Sequence, residues 1–284
     1  MRSMRLLVLT LLVAAASAAT GPSLAQAAND TAPPGTRAMW LWNQADPATV
    51  LSWATAHGVS EIFVHVAPDL VTSDDLPRLQ ELKVRADAAG IRLSALGGDP
   101  GWTFDHDAAL AWQRTALDTG LFAGSHIDVE PYALTEWFSN QAGAVAAYVE
   151  LLELLQADDG RPLEADVPFW YGTIGTASGD TLADQVLART DAVTAMTYRD
   201  TATGGNSMTD VATDILARGA AAAKPVRLAA ETSELPDCPH CTFFEQGQQR
   251  MASTLSVVDA VEVHKPAFAG IAIHHYTAWR SLTP

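Results

Sequence analysis

Apolar positions recur along this chain in short, β-prone runs separated by longer stretches with helical spacing. Strands are predicted over 38–42, 61–66, 91–96, 124–130, 167–171, 192–198, 226–231 and 270–276. Helical patterns fill 75–89, 107–119, 137–156, 208–223 and 245–263. Several of these follow an Asp, Ser or Thr that can cap the first turn, and some segments end at glycine, as at Gly58, Gly90 and Gly120. Eight strands alternating with helices predict an α/β fold, a single parallel (β/α)8 barrel. A doubly wound sheet is the competing architecture. Strand count and length favour the barrel, and no Gly-rich phosphate loop follows the first strand. Without an internal repeat, a low-complexity tract or an interdomain linker, 37–284 reads as one barrel domain. Residues 28–36 read as a loose N-terminal lead-in.

The first residues have a different pattern. Arg2 and Arg5 precede an apolar run from Leu6 to Ala16, and Ala25-Gln26-Ala27 places small residues where cleavage would need them. This predicts a secretory signal peptide over 1–27, excluded from the fold. The alternative, a membrane anchor, needs a longer apolar run. The mature protein is therefore expected to be secreted and not membrane-bound.

Composition is ordinary for a globular chain, with 48% hydrophobic and 18% charged residues. The formal charge is −16; removing Arg2 and Arg5 leaves 15 basic against 33 acidic side chains, a net charge of −18. That sign argues against nucleic acid and anionic membranes as partners, and suits a neutral or cationic substrate.

The barrel assignment organises the chemistry, because active sites in this fold lie at the C-terminal ends of the strands. The fourth strand reads Ser125-His126-Ile127-Asp128-Val129-Glu130-Pro131. Period-two alternation puts His126, Asp128 and Glu130 on one face and Ile127 and Val129 on the other. Burying two carboxyls and an imidazole is costly and is tolerated where the groups do chemistry. Glu130 is the candidate acid and Asp128 the neighbour that tunes or orients it. A salt-bridged loop glutamate is the bland alternative. Glu231, ending strand seven across the mouth, is the candidate second carboxylate; a helix N-terminal glutamate is its alternative. Tyr198, ending strand six, is placed to hold a carboxylate or a substrate carbonyl, against an alternative of core packing. Further strand-end residues, Trp42, Asn43, His65, Asp99, Trp102, His126, Tyr171, Asp200, His275, Tyr276 and Trp279, are candidate substrate contacts. Tryptophans there, with Trp170, are candidate sugar platforms; any single one is more often core, but their clustering at strand ends favours the group. His65, His126, His275 and Asp128 are an alternative metal set, and the first strand, Met-Trp-Leu-Trp, lacks a His-x-His pair.

Two cysteines lie in Cys238-Pro239-His240-Cys241. In an exported protein they predict a local disulfide; redox and zinc roles are the alternatives.

Asp128-Val129-Glu130, Met196-Thr197-Tyr198 and Trp279 resemble the chitinase-type glycoside hydrolases. That resemblance implies a strand-four glutamate acid assisted by the aspartate two residues before it. Ala123 and His126 stand where the family's longer motif has acidic residues, and Arg199 stands where it has Asp or Asn. Glu130-Pro131, Glu231, Tyr198 and Trp279 also resemble the retaining-glycosidase superfamily with glutamates on strands four and seven. Val129 replaces the asparagine usual before its strand-four glutamate. Both resemblances imply glycoside hydrolysis through Glu130. They differ on whether Glu231 or a substrate acetamido group is the nucleophile. The expectation is a secreted, monomeric, cofactor-free glycoside hydrolase acting on a carbohydrate polymer or oligomer. The alternatives are a metal-dependent barrel hydrolase and a non-catalytic carbohydrate-binding barrel.

Overall fold

The computed structural model describes residues 35–284. The signal peptide expected over 1–27 and most of the 28–36 lead-in lie outside the described residues. Eight strands form a closed barrel in sequence order, every neighbouring pair parallel. They are β1 (Arg37–Leu41), β2 (Val59–His65), β3 (Arg92–Gly97), β4 (Ser125–Ile127), β5 (Leu163–Pro168), β6 (Ala192–Met196), β7 (Val226–Glu231) and β8 (Phe268–His274). The helices around them are α1 (Pro47–Ala56), α2 (Leu76–Ala89), α3 (His106–Leu117), α4 (Thr135–Ser139), α5 (Gln141–Asp158), α6 (Leu182–Arg189), α7 (Met208–Val211), α8 (Thr213–Ala222), α9 (Gly247–Glu262) and α10 (Tyr276–Ser281). No helix among the described residues is long and apolar enough to cross a membrane.

Local chemistry sets the ends of these elements. Asp46 accepts a hydrogen bond from the Thr49 backbone N–H, and Pro47 occupies the first position of α1, where its missing donor is harmless. Thr181 and Asp184 form a reciprocal capping box on α6. Gly90 closes α2 in the left-handed conformation, φ 67°.

Alternation along the strands divides the apolar side chains into two shells. Residues such as Ile62, Val64, Ile271 and Ile273 point outward into the large core under the helices. Ala38, Trp40, Phe63, Leu96, Ala229 and Ala272 fill the barrel itself. Beneath them lies an ionic layer. Arg227 pairs with Glu61 at 2.5 Å and with Glu164. Glu61 also accepts from Arg92 and from Ser94 Oγ at 2.7 Å, and Glu164 accepts from Thr194 Oγ1 at 2.6 Å. Burial pushes Glu164 up, but Arg227 and His126 outweigh it and hold this carboxyl at about 2.

Strand five differs from expectation. The strand is Leu163–Pro168, and 169–173 coil into a 3-10 turn. The expected strand over 167–171 follows aromatic β-propensity; the actual strand carries Glu164 and Asp166 inward, between outward Ala165 and Val167. Strand four is also shorter than expected, since the chain leaves the ladder after Ile127.

Candidate active site

The mouth of the barrel collects carboxyl groups from strands four, five and seven. Beyond β4, Asp128 and Glu130 turn inward, half-buried, while Val129 is 1% exposed on the other side. The approach depends on Gly98. A Cβ at that position would stand 2.3 Å from the Asp128 carbonyl oxygen and 2.9 Å from its Cβ, so only glycine lets the two strand ends meet.

Glu130 accepts a hydrogen bond from the Tyr132 hydroxyl, two residues on in the turn that Pro131 begins. Burial raises the Glu130 carboxyl; the Tyr132 bond opposes this, the Asp166 charge adds to it and His274 opposes it, with a net rise. Asp128 is raised well above the ordinary range by burial, then by Asp166 and Glu130. Its Oδ1 is buried without a hydrogen-bond partner.

Glu231 has the opposite surroundings. Its Oε1 accepts from the backbone N–H groups of Thr232 at 2.7 Å and Ser233 at 2.6 Å. His274 Nδ1 lies 2.7 Å from Oε2. Burial would raise this carboxyl, but the hydrogen bonds from His274 and Ser233 outweigh it, and the net shift is downward. Trp42 Nε1 donates to His274 Nε2 at 3.0 Å. An indole only donates, so Nε2 is the acceptor and the imidazole proton lies on Nδ1, facing Glu231. Glu130 and Glu231 thus sit in environments that push their proton affinities apart. This is the arrangement that assigns acid and base roles in paired carboxylates.

Tyr198 packs on the barrel cluster beside Trp42, its ring 6.2 Å from His274. Burial raises its phenol, and the charges of Glu231, Asp166, Asp128 and Glu130 add to the rise. On one side of the mouth, two cavities of about 450 and 260 Å³ meet at Trp42 and His65. Asp99 and Trp102 line the larger, Asn43 the smaller. Asp99 also caps the following turn through Gly101 N–H. Burial lowers His65, which stays half-buried. Asp200 accepts from Gln246 Nε2 at 2.9 Å and ties strand six to the cysteine loop through its N–H to His240 O.

Other expected sugar contacts lie away from the mouth. His126 is 0% exposed, stacked on Phe63 at 3.6 Å inside the barrel. Tyr171 is also fully buried, among Tyr132, Trp137, Tyr148 and Trp170. Tyr276 accepts from Arg280, and Trp279 packs on Trp53 and His57. These four side chains are core, because α10 turns back from the mouth and β5 ends before Tyr171. His275 is half-buried with Nδ1 unpartnered, and it is His274 that reaches Glu231. Strand alternation carries that signal: Gly270, Ala272 and His274 share the inward face opposite Ile271 and Ile273. The same rule finds Asp166, while Tyr132 is marked only by following Pro131.

Among the described residues, the one set of three His, Cys, Asp or Glu donor atoms lying within 4.8 Å of one another is Cys238, His240 and Cys241. Both sulfurs of that set are in the Cys238–Cys241 disulfide. His65, His126, Asp128 and His275 form no such set.

No family model matches the chain, and no curated protein sequence matches it. Solved structures do. A GH18 chitinase from Pseudoalteromonas aurantia superposes with a TM-score of 0.56 at 12% identity, over 85% of this chain and 94% of that one. A GH113 beta-1,4-mannanase gives 0.57 at 12% identity, over 89% and 91%. The spore cortex-lytic enzyme SleL of Bacillus megaterium QM B1551 gives 0.51 at 9% identity, over 84% and 70%. The chain has the (β/α)8 barrel fold that these glycoside hydrolases share.

Proposed function

We propose that this chain is an exported glycoside hydrolase that cleaves a polysaccharide or oligosaccharide with retention of configuration. One observation carries the reading: at the strand ends of one barrel mouth Glu231 accepts from two backbone N–H groups and faces His274 Nδ1, while Glu130 accepts from the Tyr132 hydroxyl; Glu231 is shifted down by its donors and Glu130 up by burial. The fold shared with a chitinase and a mannanase supports it, and so does the similarity of Glu130-Pro131 and Glu231 to the strand-four and strand-seven glutamates of retaining glycosidases. Export is supported by the pattern of residues 1–27 and by the disulfide.

In this mechanism Glu130 gives its proton to the glycosidic oxygen as the bond to the anomeric carbon breaks. The Glu231 carboxylate attacks that carbon from the opposite side and forms a glycosyl ester. Glu130, now ionised, takes a proton from water, which releases the sugar from Glu231. Tyr132 fixes the Glu130 rotamer. His274, locked by Trp42, keeps Glu231 charged and oriented. Tyr198 packs beside His274, and the cavities beside Trp42 and His65 receive the flanking sugar units.

A second reading is favoured by Asp128, whose half-buried carboxyl beside Glu130, shifted up by burial and by its acidic neighbours, would suit a substrate acetamido group acting as the nucleophile. The test is reducing-sugar release from β-1,4-mannan and chitin oligosaccharides, with the product anomer read by proton NMR in the first minutes. Glu130→Gln should cut turnover at least about 100-fold with little change in melting. Near wild-type turnover in that variant would sink the assignment, and initial release of the opposite anomer would remove Glu231 as nucleophile. Retention by a fully active Glu231→Ala, only on N-acetylated substrates, would select the second reading.

A further inference from the structure

We propose that Asp166 is the third carboxylate of this site, a positioning residue that keeps the proton on Asp128 and thereby sets the charge around Glu130. The inference rests on the reading of Glu130 as the acid. Asp166 lies on β5, whose register with β4 pairs His126 with Glu164. The ladder ends where Ile127 pairs with Ala165; Asp166 is the next residue of β5 and Asp128 the first beyond β4, and the two carboxyls act on one another. The Asp166 side chain is 1% exposed. Its Oδ2 accepts from Trp40 Nε1 at 3.1 Å, and its Oδ1 stands 3.0 Å from His126 Nε2, too far off the ring N–H direction to count as an aligned hydrogen bond.

The groups facing this position can be counted by element. Trp40 comes from β1, and His126, Asp128 and Glu130 come from β4 and its extension. Glu164 is on β5 itself, Tyr148 on α5, Tyr198 beyond β6, and Arg227 on β7 faces His126. Arg227 is already committed to Glu61 and Glu164. That leaves the His126 imidazole facing Asp166, while His274, bonded to Glu231, acts on Glu130. Carboxyls that share a buried site resist ionising together, and donors decide which one does. Asp166 Oδ2 accepts from Trp40 Nε1 and its Oδ1 faces the His126 ring without an aligned hydrogen bond, whereas Asp128 Oδ1 is buried with no hydrogen-bond partner. Burial lowers the His126 imidazole, but the nearby charges of Asp166 and Glu164 outweigh it and raise it, which fits a His126–Asp166 ion pair. The proton therefore stays on Asp128, and the buried charge of Asp166 favours a proton on Glu130 too.

Asp166→Asn preserves the shape and an acceptor for Trp40 while removing the charge. Carboxyl 13C NMR of the full mature protein should then show the Asp128 and Glu130 midpoints falling by about one pH unit. The basic limb of kcat/KM on chitin or mannan oligosaccharides should move down with them. Unchanged midpoints with only a lower Tm would reduce Asp166 to a structural anchor and overturn the proposal. If Asp166→Asn does not fold, the wild-type spectrum at about pH 6 decides. A protonated Asp128 signal, identified by its loss in Asp128→Asn, supports the proposal; an ionised Asp128 overturns it. Shifted midpoints in a protein that turns over no glycan would support the charge coupling and sink the hydrolase reading alone.

Discussion

At the scale of single residues, Asp128 and Glu231 show how one barrel mouth holds carboxyls in opposite states. Asp128 has burial and two neighbouring carboxyls and no donor to its Oδ1; Glu231 has two backbone N–H groups and an imidazole. The consequence for stability has a definite sign. Asp128, raised in the folded state, binds its proton more tightly there than in the unfolded chain. The folded state is therefore penalised as pH rises above the ordinary aspartate value of about 3.8. Asp128→Asn should raise Tm at neutral pH, and the gain should vanish below about pH 4. A neutral-pH Tm at or below wild type would show that Asp128 is ionised and satisfied. His274 gives a second prediction. Removing its bond with His274→Ala should raise the Glu231 carboxyl, so the acid limb of kcat/KM should move to higher pH. An unmoved acid limb would separate Glu231 from the catalytic titration.

At the scale of elements, the candidate site lies at the strand ends, and strand ends are where sequence reading is weakest. The eight strands and the inward position of Asp128 and Glu130 were legible because Ile127 and Val129 alternate with them. Strand seven was read with its observed bounds, Val226–Glu231. Strand five was displaced because Phe169-Trp170-Tyr171 has stronger β-propensity than Leu163-Glu164-Ala165-Asp166. Closure of the barrel, a tertiary effect, selected the latter. Asp166 was lost with it. The expected contact on strand eight is His275, although alternation from Ile271 and Ile273 indicates His274. Trp279 looked like a mouth residue because it follows β8, but α10 carries it to Trp53 and His57. Contact between strand ends also depends on a residue without a side chain. Gly98→Ala would drive a methyl group into the Asp128 backbone, so it should cut kcat/KM roughly 10- to 100-fold by displacing Asp128. Gly175→Ala, with open space at its Cβ, is the matched control and should be near neutral. Equal activity in the two variants would show that the β3–β4 approach is not needed for catalysis.

At the scale of the whole molecule, the barrel is electrostatically layered: a compensated ion network near the strand starts and a less compensated acidic mouth at the strand ends. Arg227 is the centre of the lower layer. Its side chain is 17% exposed, against 4% for Glu61 and 7% for Glu164, and its guanidinium also lies 5.5 Å over the Phe63 ring. Removing one partner of such a network leaves the others buried and uncompensated, at about 3–5 kcal/mol. Arg227→Met, which keeps much of the side-chain volume, should therefore lower Tm by on the order of 10 °C, given roughly 2–4 °C per kcal/mol for a domain of this size. The pH dependence distinguishes this from simple loss of packing. Glu164 is depressed to about 2 from an ordinary 4.5, so its contribution is fully present above pH 4.5 and is lost as pH falls from 4.5 toward 2. Wild-type Tm should fall steeply through that window. Arg227→Met, lacking the cation that depresses Glu164, should fall less steeply, and the two curves should converge at the acid end. Parallel curves, separated by the same Tm difference at pH 7 and pH 3, would mean that Arg227 stabilises the barrel by packing on Phe63 and not by its charge.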